Sequence, residues 1–266
     1  MKAFFIIFHI VILLSLTSCS SSNSHTLKVA ATTVPHAEIL EHIKPELREK
    51  GITLDVVVVE DYNIPNRALN DHEVDANFFQ HLPFLEAQRA DFGYQLESLA
   101  AIHIEPMGLY SLKIQKLADL SPHATIAVPS DPSNQARALL LLEQQGLLSL
   151  SRQDIHTSVL DIKDNPQHFK IIEIDSPLLS RTLEDVDLAA ITTNFALQAG
   201  LSPQKDALAL EDAQSLFVNI VVIRTGENSH ADLQALKKAL TSSNTAQFIT
   251  DQYQGAIIPI LTAKAS

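Results

Sequence analysis

The chain has 266 residues, with 19 Lys and Arg against 31 Asp and Glu and a formal charge of −12, a balance that argues against nucleic acid or an anionic membrane surface as its main partner. Hydrophobic residues make up 46% and charged residues 19%, enough to bury the core of one large domain or two smaller ones, and unlike a disordered chain. Its seven glycines are too scattered for G-x-G-x-x-G or a P-loop, and neither G-x-S-x-G nor H-E-x-x-H occurs; the commonest nucleotide, esterase and zinc-protease signatures are excluded, and no enzyme activity, cofactor or resident metal is expected.

Residues 1–19, MKAFFIIFHIVILLSLTSC, read as a secretory signal peptide: Lys2, an apolar run from Ala3 to Leu16, then small polar residues. That run is short for a bilayer span of about 20 residues. Its close, Leu16-Thr17-Ser18-Cys19, resembles a bacterial lipobox, in which the signal is cleaved before a cysteine that becomes lipidated. Cys19 is the sole cysteine, so acylation accounts for it better than redox chemistry. Residues 20–26 follow as a flexible tether, and an acidic body on a lipid leash stands off from anionic headgroups.

In the body, 27–33 predicts a strand and 35–50 an amphipathic helix with Ile39, Leu40, Ile43 and Leu47 on one face, closed by Gly51. Segment 52–60, ITLDVVVVE, is β-branched and apolar, which predicts a strand buried on both faces of a parallel sheet. A short helix opens at Pro65, a strand spans 74–79, and a helix spans 83–91. Residues 99–112 read as extended, interrupted at Pro106-Met107-Gly108; strands follow at 125–128, 169–174, 188–192 and 217–224. Helices are expected at 132–145, 178–183, 194–199, 231–240 and 245–253. This alternation is that of an α/β protein with mainly parallel sheets, and two lobes with a cleft between them fit its length. Functional groups are then expected beyond the carboxyl ends of strands.

Three polar clusters fall at such junctions: 60–66, 75–81 and 129–137. In the third, Asp131 is placed as an N-cap and Pro132 as the first helical residue, with Asn134 in the first turn and Arg137 a turn later. Helix N–H groups, the dipole and a guanidinium would there form a carboxylate-sized anion site; alternatively, Arg137 is a surface residue paired with Asp131 or Glu143. Tyr62, Phe78, Phe79 and Phe84, with His81, form either core or an apolar cage. His103 and Glu105 alternate along one strand and share a face, suiting a metal pair helped by His81, or an ammonium partner in Glu105.

Five segments, DYNIPNRAL at 61–69, VDANFFQHLPFL at 74–85, HIEPMGLYS at 103–111, IAVPSDPSNQARALLLL at 126–142 and FVNIVVIR at 217–224, occur in an order that resembles the bacterial methionine-binding lipoproteins of the NlpA/MetQ type. The resemblance implies a two-lobed, type II-like periplasmic-binding-protein fold, with one lobe over 27–106 and 223–266 and the other over 107–222. By motif, it implies that Tyr62, Phe79, His81 and Phe84 line a side-chain pocket, that Asn134 and Arg137 hold a carboxylate, and that Glu105 and Asn219 hold an amino group. Two positions depart from the family: Thr192 stands where Asn is common, and Phe84 where Tyr is frequent. The implied function is a monomeric, envelope-anchored receptor delivering methionine to an ABC permease. A receptor for another amino acid, a methionine-containing peptide or a metal ion, and an interaction lipoprotein with a decayed pocket, are the alternatives.

Overall fold

Strands and helices alternate through a first run of the chain, β1 (His25–Thr32), α1 (Glu38–Glu49), β2 (Ile52–Val59), α2 (Ile64–Asn70), β3 (Ala76–His81), α3 (Leu82–Phe92) and β4 (Leu96–Ile104). The computed structural model of the protein describes residues 25–212 and 216–260, so the expected signal segment, Cys19 and residues 20–24 of the expected tether lie outside the described residues. After β4 the chain crosses at Pro106 into a second run: β5 (Gly108–Tyr110), β6 (Thr125–Pro129), α4 (Pro132–Gln144), a ribbon of β7 (Ser149–Leu150) and β8 (Ile162–Asp164), β9 (Lys170–Ile174), a 3-10 helix at Ser176–Glu184, β10 (Leu188–Ile191), α5 (Thr193–Gln198), α6 (Pro203–Asp206) and β11 (Ala209–Leu210). It then returns through β12 (Val218–Arg224), α7 (Ala231–Leu240), α8 (Ser243–Tyr253) and β13 (Ile258–Pro259).

Besides the β7–β8 ribbon, two larger sheets result, one per lobe. The first has six strands in the order β13-β4-β12-β3-β1-β2 and the second five in the order β11-β5-β10-β6-β9. In the first, β12 runs antiparallel between β3 and β4 while β1 pairs in parallel with β2 and β3. Strand alternation feeds two core layers per sheet. Val29 and Ala31 of β1, with Val221 and Ile223 of β12, face α1, α7 and α8, while Ala30, Ile220 and Val222 face α2 and α3. In the second sheet Ile126 and Val128 of β6 pack under α4, and Ala127, Ala189 and Ile191 face the 3-10 helix and α5.

Three expectations are corrected. The segment 52–60 is not a two-face-buried strand: β2 is the end strand of its sheet, Ile52 and Leu54 are buried, and Val57 and Val58 are 37% and 51% exposed. A run of valines reports β propensity but not how many neighbours the strand has. The lobe boundary expected at 222/223 falls inside β12, which pairs with β3 and β4 along Val218–Arg224, so the return crossing precedes Val218. The tether expected to run to 26 ends sooner, since His25 and Thr26 already pair with Ile52 and Thr53.

Candidate functional site

The carboxyl ends of β3 and β4 and the amino end of antiparallel β12 meet at one edge of the first sheet, where Asn219 lies opposite both His81 and His103. Facing that edge are the starts of α4 and α5 from the second lobe. Between them is a small cavity lined by Tyr62, Phe79, His81, Phe84, Glu105, Asn134, Arg137, Thr192 and Asn219, with Gln80 and Asn194. All nine residues singled out from the sequence therefore surround one space.

Local sequence explains several placements. His81 ends β3 and caps α3: its Nδ1 accepts the Phe84 backbone N–H at 3.1 Å, with Pro83 in the first turn. Its proton consequently sits on Nε2, which donates to Asn134 Oδ1 at 3.0 Å across the cleft. Burial, reinforced by the positive charge of Arg137, lowers His81 to about 3, so the ring is neutral. Asp131 caps α4 as expected, accepting the Asn134 backbone N–H at 3.0 Å and its side-chain amide at 2.9 Å. The Asn134 N–H expected for an incoming anion is thus already held by this carboxylate, whose pKa burial raises despite those bonds.

Arg137 is 3% exposed, which excludes the surface alternative. Its partner is neither Asp131 nor Glu143: Nε donates to Glu211 at 2.9 and 3.0 Å, and Nη2 reaches Glu211 and the backbone carbonyl of Glu105. The guanidinium carbon lies 4.7 Å from the centre of the Phe217 ring, which also makes a T-shaped contact with His81 at 4.9 Å between ring centres.

The aromatics separate into two groups. Tyr62, Phe79 and Phe84 form a triangle with ring centres 5.7 to 5.8 Å apart at the cavity wall, whereas Phe78 belongs to the core of the first lobe. Tyr62 also bridges the lobes: its hydroxyl donates to Asn194 Oδ1 at 2.7 Å and lies 3.1 Å from Thr192 Oγ1. Burial raises the Tyr62 phenol far above its ordinary range. Behind the wall, Asn66 and Gln80 exchange amide hydrogen bonds of 2.9 and 2.6 Å and both engage Asn77, a buried network that fixes α2 against β3.

Glu105 stands at the crossing between lobes, 3% exposed. Its Oε1 accepts from His103 Nε2 at 2.7 Å and lies 3.1 Å from His36 Nε2, while Oε2 accepts the Asn194 backbone N–H at 3.1 Å. Burial alone would raise this carboxyl, but His36 and the bond from His103 outweigh it and hold Glu105 well below the usual carboxylate range. His103 is lowered by burial, and its Nδ1 has no partner among the described atoms. The imidazole that joins His103 and Glu105 is His36 rather than His81. These three groups place donor atoms within 4.8 Å of one another, a set able to hold a metal ion; at 2.7 and 3.1 Å to a single oxygen, protons already satisfy them.

Gln80, Asn194, His36 and Glu211 were missed from the sequence. Asn194 is two residues beyond Thr192, at the cavity wall, and its buried side-chain NH₂ has no partner among the described atoms. Glu211 lies 74 residues from Arg137, and no local pattern signals such a pair.

Two α/β lobes enclosing a small cavity, with side chains of both meeting across it, define a substrate-binding protein of the two-lobed class. The chain belongs to the NlpA lipoprotein family, whose sequence profile matches residues 27–261. It is 38% identical over 256 residues to the methionine-binding lipoprotein MetQ of Bacillus subtilis (strain 168), covering 92% of this chain and 93% of the relative. A nutrient binding protein from Burkholderia cenocepacia, solved bound to methionine, superposes with a TM-score of 0.85 at 39% identity, covering 88% of this chain and 99% of that one. A periplasmic substrate-binding protein of an ABC transporter from Coxiella burnetii gives a TM-score of 0.84 at 43% identity, covering 88% and 100%.

Proposed function

We propose that this protein is a lipid-anchored receptor that encloses methionine between its lobes and delivers it to a membrane ABC importer. The observation that carries the reading is the head of the cavity: the Glu105 carboxylate and the Arg137 guanidinium both line it, and Arg137 Nη2 bonds the Glu105 backbone carbonyl. Adjacent negative and positive groups suit an α-amino acid, whose ammonium and carboxylate share one carbon. In this reading Glu105 and Asn219 take the amino group, and Arg137 and Asn134 the carboxylate. Tyr62, Phe79, Phe84 and His81 surround the side chain, and Thr192 closes the wall.

A thioether is at home there, since sulfur–aromatic contacts are favourable by about 0.3–1.5 kcal/mol each. The methionine named in the B. subtilis relative and bound in the B. cenocepacia structure supports the same ligand. No bond is made or broken; differential binding to the closed form signals the loaded state. The anchor is the lipid on Cys19 and the site of action the bacterial cell envelope, a reading supported by the family's lipoprotein character. Among the described residues, no helix is long and apolar enough to cross a membrane. The receptor acts as a monomer.

The test is thermal unfolding of the full chain, purified in mild detergent and stripped of bound ligand, with each amino acid added in turn. A ligand at 100 times its Kd stabilises by about 2.7 kcal/mol, so methionine should raise the Tm. No shift with any amino acid in folded, empty protein refutes the assignment. Metabolic labelling with palmitate, lost in Cys19→Ala, checks the anchor.

A further inference from the structure

Beside the cavity lies an imidazole that does not line it. His36, 1% exposed, sits in the turn between β1 and α1. Its Nδ1 is 2.7 Å from Thr32 Oγ1, and its Nε2 is 3.1 Å from both Glu105 Oε1 and Asn219 Oδ1. Both Nε2 partners are acceptors, so Nε2 carries a proton and shares it between two side chains that do line the cavity. The ring is fixed edge-on to Phe78 at 4.6 Å and beside His103 at 5.1 Å.

An ionised carboxylate offers about four acceptor positions. On Glu105 the two of Oε1 are met by His36 and His103, and one of Oε2 by the Asn194 backbone N–H. Among the described residues, one position on Oε2 remains. Likewise, His36 meets one of the two positions on the Asn219 carbonyl oxygen and leaves the other. With one N–H, His36 therefore sets the rotamers of both acceptors. We propose that His36 is a positioning residue that aims one acceptor of Glu105 and one of Asn219 at the ligand's α-ammonium, and so sets the discrimination for a charged amino group. The inference rests on the amino-acid reading given above.

Discrimination is the readout, because a merely structural histidine would weaken every ligand alike. The probes are methionine and 4-(methylthio)butanoate, which replaces the α-amino group with hydrogen, titrated calorimetrically into the full chain in detergent. Wild type should prefer methionine by at least roughly 10- to 150-fold, the worth of a single hydrogen bond to a charged group. In His36→Leu that ratio should fall at least about tenfold through methionine alone, while the Kd of the desamino compound moves less than about threefold. His36→Gln, whose amide N–H extends as far as Nε2, should keep the ratio within about threefold of wild type. Thr32→Val, which loosens the ring without touching Glu105, should lower the ratio less than His36→Leu, and it keeps the test decisive if the leucine variant does not fold.

Equal weakening of both ligands, or an unchanged ratio in His36→Leu and Thr32→Val, overturns the inference. Wild type that binds neither compound overturns the amino-acid reading instead.

Discussion

Closure of the lobes can be weakened by removing one oxygen. Tyr62 stands in the first lobe, and its hydroxyl reaches Asn194 Oδ1 and Thr192 Oγ1 in the second at 2.7 and 3.1 Å. Tyr62→Phe deletes both bonds yet keeps the ring against Phe79, Phe84 and Phe195, at centre distances of 5.8, 5.7 and 5.0 Å. Each neutral bond is worth about 0.5–1.5 kcal/mol net, so the closed form loses about 1–3 kcal/mol. In an open form water serves the hydroxyl, and the loss falls on the closed state alone. Methionine should therefore bind roughly 5- to 150-fold more weakly, mostly through faster dissociation. Titration calorimetry gives the Kd, stopped-flow displacement the off-rate, and urea unfolding the ligand-free stability. A Kd within about twofold of wild type, or a ligand-free loss as large as the binding loss, refutes the latch.

Two further outcomes follow from the same contacts. Arg137→Met removes the guanidinium from Glu211, which keeps the Met107 backbone N–H at 3.2 Å; losing a hydrogen bond to a charged group costs about 1.5–3 kcal/mol, measurable as a lower urea midpoint. The double variant Arg137→Met, Glu211→Gln should recover most of that stability and none of the methionine affinity, and recovered binding would remove Arg137 from the carboxylate site. His81 predicts a pH dependence. It stays neutral in the folded protein because its value is lowered to about 3, whereas in the unfolded chain it protonates near the ordinary value of about 6.5. The unfolded state then binds more protons, so stability falls as pH drops from about 6.5 toward 3. Between pH 7 and 5 this share is about 2 kcal/mol, and His81→Gln should remove it from the difference in urea stability at the two pH values; an identical difference in wild type and variant counts against a neutral His81.

What the sequence disclosed depended on how locally it was written. The cap of α4 was legible because Asp131, Pro132 and Asn134 are three steps of one helix start, and periodicity put Arg137 on the same side. Strand ends gathered Tyr62, Phe79, His81, Glu105 and Asn219 around one space because β3, β4 and β12 terminate at the same edge. Partnership was not legible. Glu211 meets Arg137 from 74 residues away, and Asn219 meets His36 from 183. The pairing of β11 with β5 in the five-stranded sheet makes the first meeting, and the order β12-β3-β1 in the six-stranded sheet makes the second. For the same reason β2 looked central: its valines are those of an inner strand, and its place at the edge is a property of its neighbours.

The position of β12 bears on how this protein comes into being. It fills the slot between β3 and β4, although more than a hundred residues of second-lobe chain separate it from β4. The first lobe, begun at His25, stays an unfinished sheet with a gap at its middle until Arg224 has been made. Pairings of such long sequence separation form slowly. A chain that must be threaded through a membrane before it folds gains from that delay, because its earliest segments cannot lock into a finished lobe while its last ones are still being synthesised.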